Sequence, residues 1–509
     1  MSLDEFKENC WKNSHEAYAG SGFLNIQPSP EFATAEVMVS SLYRAIGFEG
    51  VAEKGVPVQG REFARNSQSE GFHEKTGSKI DLQTWQVVIN SILESPKQPN
   101  QSSKRFLQMI PLVPDIALYS GSARLAGNSW NPGSLIQRIV GLGCDNFADG
   151  QKLWQQLFEA MSVGDTDDVW ARWLCQEFQF RRRSGPQWSQ TTFPNACGLP
   201  EHEKRSLDFP AKQFVRDLVG IIQAKPLLTR RQWVSLLESI LRLGSVSHVL
   251  WICDLNFRLW QLLRQALESG CSTASGEVAL KCVSRDSPYL TYGNPAVPRI
   301  KTHASNYLVG RLGINAVLWH LEGLGHRIGP INSCAQLAGF LDVVTEKRES
   351  LIGAGVLKTV NDIKDSEKSI RDFHCKKGIG SNLIEFARHV LAQRQTANEI
   401  FRGYDQGYIL RKKSEYMTAP WIVKLGPVAV LAVVHSCLRG AAGPRSIRSL
   451  CEHLEHYGIQ IDKDNVTTGD LGKQLRMLGL VLDSPDAESG MLLVPPFDYS
   501  KSNQLTPKE

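Results

Sequence analysis

The chain has 509 residues, of which 42% are hydrophobic and 21% charged. Those are ordinary globular proportions, and the length suits about three or four domains. A net charge of +5 with a pI near 8.5 permits nucleic-acid binding without demanding it, because binding needs cations clustered on one face.

There are 11 cysteines, an odd number, and no Cys-x-x-Cys pair among them. Most sit in apolar runs, as Cys253 does in VLWICDL and Cys437 in AVVHSCL. They read as small buried hydrophobes in a reducing compartment, and the expected location is the cytoplasm. The N-terminal MSLDEFKENCWKNSHEAYAG has neither the basic nor the apolar region of a secretory signal.

The first domain is expected over residues 1–95. Thr34 to Ile46 carries apolar residues at helical spacing and meets Gly47, a helix stop. Asp81 is placed to cap the helix LQTWQVVINSILE. The polar stretch Ser95 to Lys104, with two prolines, reads as a linker.

A second, helical domain is expected over 105–300. Lys152 to Met161, Asp168 to Phe180 and Gln213 to Ala224 have one-face apolar spacing, while Pro186 to Asp208 reads as a loop. Thr229 caps a helix over Arg230 to Leu243 that Gly244 is expected to end. The next helix, Val246 to Leu267, is apolar on several sides and predicts a central place, with Trp251 and Trp260 buried. Residues 301–418 predict a third helical domain, with helices over Tyr307 to Leu324, Cys334 to Glu349 and Ser381 to Arg402. No repeat of fixed period is visible.

Residues 419–500 form the last unit. The apolar run Pro420 to Leu438 is interrupted by Lys424, Pro427 and His435. It predicts a buried strand, turn and helix rather than a membrane span. A first helix is expected over Pro427 to Leu438, and a second from Arg445-Ser446 to Gly458, with Ile447, Leu450, Cys451, Leu454 and Tyr457 on one face. A third starts at Thr467 or Thr468, with Asp470 completing an approximate capping box and Leu471, Leu475 and Leu478 buried. Two apolar runs, Gly479 to Asp483 and Met491 to Val494, flank a turn-rich segment and read as a hairpin.

This order of three helices and a hairpin, with the phrase LGKQLRMLGLVL, resembles the winged-helix superfamily over residues 421–497. The resemblance implies a third helix that enters the major groove of DNA. It places Lys473, Gln474 and Arg476 against DNA and lets Arg445 and Arg448 reach phosphates. The sequence departs from the DNA-binding pattern at the wing, which holds Asp483, Asp486 and Glu488 and no cation. Carboxylates there would be repelled by phosphates.

Elsewhere, Arg181, Arg182 and Arg183 lie between aromatics in FQFRRRSGPQW. Such a run either holds phosphates and stacks bases or is a solvated helix end. His374 to Asn382, HCKKGIGSN, is an anion cradle or a plain turn, and matches neither phosphate-loop fingerprint. His453 and His456, and His374 beside Cys375, lack a second ligand pair, so no metal site is expected. His320 and His326 read as structural. No catalytic motif is found and no cofactor is implied.

The expected protein is mostly α and multidomain: a non-enzymatic, DNA-associated scaffold or adaptor in a larger complex, with protein partners and double-stranded DNA, and no membrane. In general character it is similar to helical subunits encoded with bacterial genome-defence or mobile-element systems. The alternatives are a protein-interaction subunit whose winged helix docks a partner such as a motor ATPase, and a diverged nuclease or other enzyme.

Overall fold

The sequence that looks most apolar becomes the axis of the molecule. In the computed structural model the described residues are 3–11, 15–19, 24, 34–93, 95, 108–121, 131–182, 185–194, 199–270, 276–365, 379–394, 403–439, 445–462, 466–483 and 491–497. Helix accounts for 67% of them and strand for 5%.

The helices that position the rest are α1 (Ala35–Gly47), α2 (Pro132–Gly143), α3 (Val169–Arg181), α4 (Pro210–Ala224), α5 (Arg230–Ser269), α6 (Ala296–Gly323), α7 (Ile379–Leu391), α8 (Pro427–Leu438), α9 (Ile447–His456) and α10 (Asp470–Met477). Several begin where the sequence predicts. The side chains of Thr34, Asp81 and Asp168 each accept a hydrogen bond from the backbone N–H three residues on. Thr229 and Gln232 complete a reciprocal capping box at the start of α5.

The expected break at Gly244 does not occur. Arg230–Ser269 is one helix of 40 residues. Gly244 serves contact instead of termination: a Cβ there would lie 2.0 Å from Cδ2 of Phe214, on α4. A glycine inside a helix costs about 1 kcal/mol relative to alanine, but here it lets two helices approach. The same helix is the only one among the described residues long and apolar enough to cross a membrane, and its apolar window is 94% buried within the protein. Trp251 and Trp260 are both buried, as their helix predicts.

Helix α6 packs along α5, and α7 packs against α6. On the other side α4 lies between α5 and α2, and α1 covers α2. A single hydrophobic core runs from Phe6 to Leu493, across all four expected domains. A smaller cluster, with Phe63, Trp85 and Phe178, sits beside it. Ser95, at the start of the expected linker, is buried and donates to Glu36 at 2.7 Å. Residues 96–107 lie outside the described residues. Within the expected loop 186–208 a short helix forms at Glu201–Ser206. The helix expected over Ser381 to Arg402 is α7, which ends at Leu391, and Ala392 then bridges to Leu410.

The strands are short. β1 (Leu290–Thr291), β2 (Leu410–Lys412), β3 (Trp421–Val423), β4 (Arg445–Ser446), β5 (Ile459–Gln460), β6 (Val481–Asp483) and β7 (Met491–Leu493) form three sheets. β1 pairs parallel with β5, tying the start of α6 to the C-terminal unit. β2 and β3 make an antiparallel hairpin. β4, β7 and β6, in that spatial order, make an antiparallel sheet. Arg445-Ser446 is thus a strand rather than the opening of a helix, and α9 starts at Ile447.

Candidate nucleic-acid interface

The C-terminal unit hangs on α8. Its apolar side chains pack on α4 and α5 on one side and on α9 on the other. The run expected to be buried in protein rather than lipid is so buried: Val423, Leu425 and nearly all of α8 are inside. Leu471 and Leu475 seat α10 on this core, leaving its outer face in solvent.

That outer face carries the residues expected to read DNA. Lys473 is exposed and Gln474 half-buried. Arg476 is exposed but engaged: its Nη2 lies 3.1 Å from Asp483 Oδ1 on β6, and its Nη1 donates to the Thr467 carbonyl at 3.2 Å. The acidic wing therefore neutralises the helix beside it. Asp486 and Glu488 lie outside the described residues. Next to Arg476 stands Met477, 87% exposed, and on β6 Leu482 is 55% exposed. The expected capping box is not formed. α10 starts at Asp470, whose carboxylate lies 2.7 Å from Lys424 Nζ, just beyond β3. Lys424 holds the Asp470 carboxyl below its usual range.

Arg448 is exposed and paired with Glu452 on the next turn at 2.8 Å. Arg445 donates to the Cys437 carbonyl at 3.3 Å and lines a cleft of 400 Å³ with Arg216 and Arg439.

Arg181 and Arg182 are turned largely inward. Arg181 is buried, paired with Glu177 one turn back, and its guanidinium lies 3.7 Å from the Trp85 ring centroid. Arg182 lies 3.2 Å from Asp115 and 5.6 Å from the Phe48 ring. Arg183 is outside the described residues. The rings these two arginines meet, Trp85 and Phe48, come from elsewhere in the chain, while Phe178 and Trp188 of the run pack on other aromatics. A guanidinium over an aromatic ring and beside a carboxylate is a stable arrangement. The cradle expected at 374–382 is described only from Ile379, the first residue of α7.

The paired histidines of α9 face two separate carboxylates. His453 Nε2 lies 2.8 Å from Asp217 Oδ2 on α4, while His456 Nδ1 lies 3.2 Å from Asp208. Burial pulls the His453 imidazole down, but Asp217 more than offsets it and the pKa rises to about 10. Among the described residues no group of three or more histidine, cysteine or acidic side chains could hold a metal.

A buried ion network lies beside a cavity of 440 Å³ between α5 and the segment at 403–407. Arg242 lies 2.5 Å from Glu238 and 3.0 Å from Asp405, and Arg394 lies 2.5 Å from Glu36. Burial pushes the Glu238 carboxyl up to about 7, against the pull of Arg242. A perturbed carboxylate in a cavity is the feature an enzyme would show. Here each carboxylate faces an arginine, so the group ties α1 and α5 to Arg394 and Asp405.

The sequence reading missed one grouping. Arg411, Lys412, Lys413 and Lys424 line an open cleft of 710 Å³ between the β2–β3 hairpin and the start of α10, with Glu415 and Asp470 as its carboxylates. The run LRKKSEYM was the available signal. It is three cations next to an aromatic, the pattern that had drawn attention to 181–183.

No protein-family model matches the chain, and no curated protein matches it.

Proposed function

We propose that this chain is a non-enzymatic scaffold or adaptor that associates with double-stranded DNA through a C-terminal winged helix, as one subunit of a larger protein complex. The observation that carries this reading is the run of three helices, α8, α9 and α10, followed by the β6–β7 hairpin, with α10 against β6 and its outer face open to solvent. Three helices and then a hairpin is the order the winged-helix resemblance implies; the short strand β4 before the second helix also pairs with that hairpin. In such modules the third helix is the one presented to the major groove, and Lys473 would be its leading cation. The setting we propose is the bacterial cytoplasm, in a genome-defence or mobile-element system.

A second reading has its own observation. The exposed Met477 and Leu482, and the pairing of Arg476 with Asp483, suit a protein partner better than a phosphate backbone. Exposed apolar side chains on a recognition face are a feature of docking surfaces.

Titration of duplex DNA at several salt concentrations separates the two. On the DNA reading the wild type binds with a steep salt dependence. Lys473→Glu combined with Arg476→Gln weakens binding, with circular dichroism unchanged. Absence of any binding at low salt would reject the DNA reading and leave the docking one.

A further inference from the structure

On the DNA-associated reading above, we infer that the β2–β3 hairpin is the phosphate-binding wing of this protein. The cleft between the hairpin and the start of α10 takes the backbone of duplex DNA. The module's own wing cannot do this at its described end, because Asp483 there already consumes Arg476, and carboxylates repel phosphates. The cations that the module lacks stand on the hairpin that immediately precedes it.

The hairpin is built for the role. Its register sets Lys412 opposite Trp421 and Arg411 opposite Ile422. Lys412 donates to the Met417 carbonyl at 2.8 Å and lies 5.8 Å from the Trp421 ring centroid, which fixes its direction. Arg411 lies on β2 and Lys413 just past its end, and both line the cleft. Both are exposed, and Lys413 has no ion-pair partner among the described residues. Beyond them the turn projects Tyr416 and Met417, 78% and 91% exposed. The ion pair between Lys424 and Asp470 pins the hairpin's base to the first residue of α10. Asp470 also feels Lys473 and Arg411; the cations that line the cleft itself are Arg411, Lys412 and Lys413 of the hairpin's first arm and Lys424 just beyond its second. Cations drawn from two elements along an open channel suit a polyanion of repeating charge. The exposed Tyr416 and Met417 at the turn, and Met477 and Leu482 on α10 and β6, all lie outside the residues that line the cleft, whose lining is mostly polar and charged.

The experiment uses the full chain and a short duplex of random sequence, read by fluorescence anisotropy at several salt concentrations. Lys412→Glu with Lys413→Glu should weaken binding about tenfold or more at low salt, and reduce the salt slope by roughly one unit per lost phosphate contact. Lys413→Glu alone, at a side chain that props up nothing, should give a smaller loss in the same direction and guards against a misfolded hairpin. If these variants bind like the wild type while Lys473→Glu abolishes binding, the hairpin inference is overturned and the DNA reading stands. If the wild type does not bind duplex DNA at low salt, both fall. If poly-L-glutamate displaces the duplex at equal charge concentration, the cleft is a dock for acidic protein and the inference is again overturned.

Discussion

His453 shows how one buried residue couples two parts of the chain. It rises from α9 into the interface with α4. There Asp217 accepts from Gln213 Nε2 at 2.7 Å and from the Tyr457 hydroxyl at 2.8 Å, and holds the imidazole at 2.8 Å. Burial opposes the charged imidazole, and Asp217 outweighs burial, raising the pKa from 6.5 to about 10. A group whose folded pKa is raised stabilises fully below its unfolded value and loses that contribution as pH climbs through the folded one. Stability is therefore expected to decline between about pH 6.5 and about pH 10. Asp217→Asn should lower stability by about 3 kcal/mol at pH 6.5 and flatten this decline. Urea melts at several pH values check it. Parallel pH profiles for wild type and variant would show that His453 is not the titrating group.

Between elements, contact distance rather than propensity governs the long helices. A Cβ on Gly310 of α6 would lie 2.5 Å from the backbone oxygen of Asn256 on α5, and one on Gly244 of α5 would meet the Phe214 ring. In an exposed helix, glycine to alanine stabilises by about 1 kcal/mol. Overpacking costs about 1–3 kcal/mol, and main chain yields less than a side chain. Gly310→Ala is accordingly expected to destabilise by about 2 kcal/mol, and Gly244→Ala by less, since Phe214 can shift. Denaturant midpoints at constant slope give the ranking. A gain in stability for Gly310→Ala would mean that α5 and α6 are not packed at this crossing.

At the scale of the whole molecule, the continuous core makes four independent domains an unsuitable description. α8 covers α4 and α5 with a face that is apolar almost throughout, and β5 borrows β1 from the segment before α6. Elements sharing one core lose their packing together. Calorimetry of the full chain is expected to show one main transition that includes the C-terminal unit. A separate early transition, removed by deleting residues 421–509, would show that the unit is an independent domain.

The sequence by itself determined the helical class, the caps at Asp81 and Thr229, the burial of Trp251 and Trp260, and the order of three helices and a hairpin near the C-terminus. All of these rest on short-range physics. A capping side chain bonds its own backbone three residues away, and an apolar stripe exists wherever the period is kept. Only the tertiary structure decided that Gly244 admits Phe214 instead of ending a helix, and that Arg181 lies on Trp85 instead of facing solvent. It also decided that Arg476 is spent on Asp483, and that Arg411, Lys412, Lys413 and Lys424 converge on one cleft. Two cation-rich runs beside aromatics, at 181–183 and 411–413, look alike in one dimension. They differ because a cation's partner is chosen by whatever the fold brings within a few ångströms: for Arg181, a ring and a carboxylate in the core; for Lys413, solvent at the mouth of a cleft.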